Sequence, residues 1–224
     1  MPAPTVAVVT GAGSPTGIGH ATALALGRAG HALIVVSTTD RIHERTQELR
    51  AAGCAAVGVV ADLTTIAGVQ ALQVAAEAAG AADALVNNAG MASLGTMDEP
   101  GDLAGLDPVA WQRSLDRNLT TAYLVTRALL PGMKTRGYGR IVNVASTTGP
   151  VAAVRGDTAY AAAKAGLVGF TRAVALEAAG RGVTVNAVAP GWIATGSQTE
   201  REAAAGRRSP LQRSGTPAEI ADVI

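Results

Sequence analysis

The stretch "VVTGAGSPTGIGHATALALGRAG", Val8–Gly30, decides how the rest of the chain is read. An apolar run ends at Thr10, glycines cluster between Gly11 and Gly19, and an alanine-rich helical pattern continues to Gly30. A strand, a glycine turn and a helix in that order present unpaired N–H groups and a positive dipole end to an anion. Glycines there let the backbone approach a pyrophosphate, so the junction points to a dinucleotide. The spacing is unusual. Five residues separate Gly11 from Gly17-Ile18-Gly19, with Pro15 and Thr16 among them, so the G-x-G-x-x-G pattern is not met.

Outward from this turn the chain alternates short β-branched runs with longer helical ones. Thr5–Thr10, Ala32–Ser37, Ala56–Ala61, Ala84–Asn87, Arg140–Ser146 and Val183–Ala189 read as strands. Each is short and apolar, as expected of a parallel sheet covered on both faces. Helical patterns fill the gaps, and several stop at glycine (Gly30, Gly53, Gly80, Gly180), a common helix terminator. Strict βα alternation predicts an α/β, Rossmann-like doubly wound parallel sheet. With no repeat and no linker, residues 1–224 read as one domain.

Composition agrees with a folded soluble protein: 48% hydrophobic residues, 16% charged, and a net charge of +1 with no basic stripe. Nucleic acid is therefore not an expected partner. The single Cys54 excludes an internal disulfide and argues against a zinc site, so no metal is expected. The start, "MPAPTVAVV", lacks a basic n-region, and no apolar run reaches the ~20 residues of a membrane helix. A cytoplasmic location follows as the expectation.

"YAAAK" places Tyr160 and Lys164 one turn apart on a helix. A nearby ammonium favours the phenolate and would lower the tyrosine pKa toward a useful range. Ser146 follows the strand "RIVNVAS", while "NNAG" (Asn87–Gly90) and "APGWIAT" (Ala189–Thr195) follow two others. All three fall at the carboxyl edge of the sheet, where doubly wound folds bind ligands. Asn118, in "RNLTTAYL", sits within a helical pattern that asparagine does little to support.

Taken in order, the glycine loop, "ADL" at Asp62, "LVNNAG", "RNL", "GRIVNVAS", "YAAAKAGL", "VNAVAPGWIAT" and "SPLQRSGTPAEIAD" resemble the short-chain dehydrogenase/reductase superfamily across nearly the whole chain. The likeness is greatest to its 3-oxoacyl-carrier-protein reductase-like branch. The resemblance implies an oxidoreductase interconverting a ketone and a secondary alcohol, with Tyr160 as general acid/base. Lys164 would lower the tyrosine pKa and bind the nicotinamide ribose, Ser146 would hold the carbonyl, and Asn118 would support a water-linked proton relay. Enoyl reductases of the superfamily share a long first loop, but they separate Tyr and Lys by six residues. Here three residues intervene, the carbonyl-reducing arrangement.

The same resemblance assigns the cofactor to Gly11, Ser14, Thr16, Gly17, Ile18 and Gly19 in the first loop, and to Thr38 after the second strand. It adds Asp62 and Leu63, then Asn88, Ala89 and Gly90, then Tyr160 and Lys164, and finally Pro190, Gly191, Ile193 and Thr195. Thr38 is neutral and Arg41 stands close behind, which favours NADP(H). Asp40 keeps NAD(H) possible if the second strand runs two residues longer. The expected substrate is a small-molecule or acyl-thioester carbonyl compound. The alternatives are an NAD-dependent alcohol, sugar or steroid-type dehydrogenase, or an inactive nucleotide-binding regulatory protein. Relatives continue past the equivalent of "TPAEIADVI" into a last strand, so the sheet is expected to lack that strand and leave an edge open. A homodimer or homotetramer is expected if that end is complete in the native protein. Between Ser146 and Tyr160, Arg155 and Asp157 read as solvated loop charges rather than substrate contacts. Trp192 is read as either pocket wall or turn packing.

Overall fold

The computed structural model describes residues 5–90 and 103–224. The first four residues, part of the stretch read as lacking a signal, lie outside them. Six strands form one parallel sheet: β1 (Val6–Thr10), β2 (Ala32–Ser37), β3 (Ala56–Val60), β4 (Ala82–Asn87), β5 (Gly139–Val144) and β6 (Val183–Val188). Their order is β3-β2-β1-β4-β5-β6. The winding reverses between β1 and β4, and that is where a doubly wound sheet opens a crevice above its strand ends.

The helices are α1 (Ile18–Arg28), α2 (Arg41–Ala51), α3 (Ile66–Ala78), α4 (Pro108–Leu115), α5 (Thr121–Arg136), α6 (Thr158–Ala178), α7 (Glu200–Arg207) and α8 (Pro217–Ala221). Strand periodicity divides the core in two. Val6 and Val8 of β1, with Ile34 and Val36 of β2, pack beneath α3, α5 and α6. The intervening Ala7, Val9, Leu33 and Val35 pack with residues of α1 and α2 on the other face. Gly30, Gly53 and Gly80 end their helices at φ of 95°, 86° and 110°, a region open to glycine at little cost. Gly180 is different: α6 is capped at Ala179, and the left-handed residue is Gly182. β6 ends the strand order among the described residues, with Thr184, Asn186 and Ala187 exposed.

A buried polar chain ties the sheet to the helices that carry the site. Asn87 Nδ2 donates to Thr126 Oγ1 at 3.0 Å and to Asn143 Oδ1 at 2.8 Å. Asn143 Nδ2 in turn donates to Thr171 Oγ1 at 2.8 Å. The chain thus links α5, β4, β5 and α6 where hydrophobic packing alone would leave rotation about the strands undetermined.

The candidate active site

The glycine loop is clamped to the end of β4. Thr10 Oγ1 accepts the N–H groups of Asn88 and Ala89, both at 3.0 Å, and Asn88 Nδ2 donates to the carbonyls of Thr10 and Gly11 at 3.0 and 3.1 Å. Gly11 lies at φ 69°, and a Cβ on it would come within 2.8 Å of the Ala89 backbone. A Cβ on Gly19 would meet Asn88 Nδ2 at 2.5 Å and Gly11 O at 2.6 Å. Gly19 is therefore packed closely against the loop, with no room for a side chain. The two extra residues form a tight turn closed by Gly17 N–H to Ser14 O at 3.2 Å. Thr16 points across to the loop after β6, where a Cβ on Gly196 would lie 2.5 Å from its Oγ1.

A cavity of about 690 Å³ runs from this loop over the sheet edge. Of the sequence-predicted residues, Gly11, Ser14, Gly17 and Ile18 line its first part, followed by Thr38, Asp62 and Leu63. Asn88, Ala89 and Gly90 line its middle, and Pro190, Gly191, Ile193 and Thr195 its far wall. Ser146, Tyr160 and Lys164 meet at its inner end. Thr16, Gly19 and Asn118 do not line it. Sequence reading missed Gly13, Ser37, Thr64, Asp157 and Glu202 as lining residues. Gly13 was legible: it lies inside the same glycine cluster.

β2 stops at Ser37, Thr38 and Arg41 line the cavity, and Asp40 instead occupies the N-cap of α2 outside it. Asp62 is turned inward on its own loop, accepting from Thr64 N–H and Oγ1 at 3.0 and 2.7 Å.

Asn118 lies in a single π-helical turn, Asp116–Thr120, between α4 and α5. Such insertions recur at functional sites because they displace one side chain from the regular helical track. Asn118 is buried and donates to Ser114 O at 3.0 Å. A Cβ on Gly90 would lie 2.6 Å from Asn118 Oδ1 and 3.4 Å from Lys164 Nζ, so the three meet at one point. Lys164 is 4% exposed and donates to Val144 O at 2.8 Å. Burial lowers its pKa from 10.5 to about 8. Its Nζ stands 5.6 Å from the centre of the Tyr160 ring.

Tyr160 departs from what the Tyr/Lys pairing alone predicts. Burial pushes its pKa up, the nearby Ser146 hydroxyl opposes this, and the Asp157 and Glu202 carboxylates push it further up. Desolvation of the phenolate is the largest of these influences, and the Lys164 ammonium beside the ring uses one of its three donors on the Val144 carbonyl.

This site and fold define a class of nicotinamide-using oxidoreductase. The chain matches the family model for short chain dehydrogenase over residues 5–206, and it belongs to that family. It is 41% identical to a 3-oxoacyl-[acyl-carrier-protein] reductase of Pseudomonas aeruginosa, covering 98% of this chain and 87% of that protein. It is 40% identical to a D-beta-hydroxybutyrate dehydrogenase of Cupriavidus necator, over 96% of this chain and 79% of that one. Among solved structures it resembles an actinorhodin polyketide ketoreductase variant crystallised with NADPH. That match has a TM-score of 0.88 and 36% identity, covering 98% of this chain and 88% of the other. No helix among the described residues is long and apolar enough to cross a membrane.

Proposed function

We propose that this protein is an NADP(H)-dependent ketoreductase acting on 3-oxoacyl-thioester-type substrates, with Tyr160 as its proton donor. The observation that carries the reading is the convergence of Ser146, Tyr160 and Lys164 on the cavity that begins at the glycine loop.

The residues present fit a dinucleotide. Gly17 caps α1 without any side-chain bond, which leaves the first N–H groups of an 11-residue helix free for phosphate beside Gly11 and Ser14. Gly13 has no room for a Cβ, which would fall on Ser37. Thr38 and Arg41 supply a hydroxyl and a positive charge for a 2′-phosphate, and Asp40 does not line the cavity. When bound, the nicotinamide supplies the hydride.

The chain supplies the rest. Tyr160, with its pKa raised, carries its proton throughout the neutral range and delivers it to the carbonyl oxygen. Ser146 donates a hydrogen bond to that oxygen and so orients it. Lys164, held at Val144 O, is mostly protonated at pH 7 and stabilises the phenolate left behind. Asn118, fixed by the π turn, supports return of the proton from solvent.

The relatives named as acyl-carrier-protein and polyketide ketoreductases support the substrate type. The reading carries with it a cytoplasmic, homo-oligomeric enzyme. Its test is the loss of reduced-nicotinamide absorbance with 3-oxoacyl thioesters, run with NADPH and NADH in parallel. A higher kcat/KM with NADPH is expected, and a strong NADH preference would overturn the cofactor assignment.

A further inference from the structure

Given a dinucleotide in the cavity, as proposed above, we infer that Arg117 holds its adenine end by laying the guanidinium plane against the purine ring. Arg117 lies on neither the glycine loop nor a strand end, yet it lines the same cavity as both.

Its direction follows from its neighbours. Arg117 belongs to the π turn that leads into α5, and α5 packs against both α3 and α6. Two residues on, Leu119 faces α6: a Cβ on Gly166 would lie 3.0 Å from its side chain. Residues two apart on a helical turn project to nearly opposite sides, so Arg117 points away from α6 and toward the α3 side. The turn at residues 62–64 leads into α3, and Leu63 and Thr64 of that turn line the cavity together with Arg117.

The guanidinium is uncommitted. Asp116, the adjoining carboxylate, accepts from Gln112 Nε2 at 2.9 Å and from Thr120 Oγ1 at 3.3 Å. Arg117 is half-buried, yet it makes no hydrogen bond or ion pair among the described residues. The turn that carries it is pinned, with Thr121 Oγ1 donating to Asp116 O at 2.8 Å and Asn118 Nδ2 to Ser114 O at 3.0 Å. Around the ends of β2 and β3 the cavity wall is apolar, built from the buried Val36, Ala61 and Leu63. A flat heteroaromatic ring suits such a slot, with hydrocarbon against one face and a planar, weakly hydrated cation against the other. The cofactor's phosphates have donors elsewhere, at the start of α1 and at Thr38 and Arg41. The purine is the part left for Arg117.

Calorimetry at pH 7 with NADPH and with NADH tests this in wild type, Arg117→Ala and Arg117→Lys. Alanine should raise both Kd values about fivefold or more, and by factors that agree within about twofold, since the two cofactors share the purine. Lysine keeps the charge without the plane and should still bind both about threefold or more weakly than wild type. The ligand-free proteins should melt within about 2 °C of one another, because Arg117 has no partner to lose. A loss confined to NADPH would assign Arg117 to the 2′-phosphate and overturn the inference. Wild-type affinity in the lysine variant would make it a point charge for a phosphate, and a loss matched by a lower melting temperature would make it a prop for the π turn. Either result overturns it, as do unchanged Kd values. If wild type binds neither cofactor, the dinucleotide reading of the cavity falls and takes this assignment with it.

Discussion

Replacing Lys164 by Met should stabilise the free protein at neutral pH while destroying its activity. The lysine is 4% exposed, and burial lowers its pKa from 10.5 to about 8. In the unfolded chain the group titrates near its ordinary value, so between these two points the unfolded state binds more protons. Stability therefore rises with pH across that window, and the cost of burying the charge is fully present below pH ~8. At ~1.4 kcal/mol per pH unit of displacement, that cost is about 3 kcal/mol. Against it stands the charged bond to Val144 O, whose loss returns ~1–3 kcal/mol because the carbonyl is left without its donor. The net gain for Lys164→Met at pH 7 is then small, between zero and about 2 kcal/mol. Its pH dependence is the sharper signal. Urea unfolding of both proteins at pH 7 and pH 10 should show the variant's relative stability falling by roughly 2 kcal/mol as wild type recovers the burial cost. A difference that stays constant with pH would refute the claim that a buried, charged lysine is what the site holds in strain.

Other outcomes follow from particular contacts. Asn143→Ala removes the centre of the Asn87–Asn143–Thr171 chain and should cost ~2–4 kcal/mol in chemical denaturation, since two buried partners lose their bonds. Gly13→Ala places a Cβ on Ser37 inside the cofactor cavity, so the Kd for NADPH should rise at least about tenfold in a fluorescence titration. Arg41→Ala should reduce the NADPH-over-NADH ratio of kcat/KM by about tenfold or more while leaving NADH kinetics nearly unchanged. Deleting Pro15-Thr16 removes the contact with Gly196 and should weaken NADPH binding; an unchanged Kd would make the longer turn a neutral insertion.

Much of this was legible in the sequence. Strand positions came through to within about two residues because β-branched apolar runs in a parallel sheet have no polar face to blur them. The glycine turn and the Tyr160/Lys164 pair were readable because each depends on local spacing. What local spacing cannot carry was missed or misdirected. The π turn at Asn118 costs only one residue of helical phase, which an alanine- and threonine-rich pattern does not register. How deeply Tyr160 and Lys164 sit depends on how α6 settles against β5, and burial of Tyr160 itself pushes its pKa up where the Tyr/Lys spacing pointed down. Asp157 looked like a solvated charge because its loop is polar in sequence, yet the fold turns it into the cavity. Thr16 was read as a cofactor contact from its neighbours in the loop, and its placement beside Gly196 is a contact between distant segments that no local spacing announces.

The central claim is that Tyr160 protonates a carbonyl at the end of a nicotinamide cavity. Single-turnover reduction of a 3-oxoacyl thioester by NADPH tests it most directly in wild type and Tyr160→Phe, with the Kd for NADPH measured alongside. The account predicts that NADPH binds both proteins within about threefold while the reduction rate falls by ~10²–10⁴ in the variant, the usual worth of a positioned proton donor. Equal reduction rates in the two proteins would contradict it.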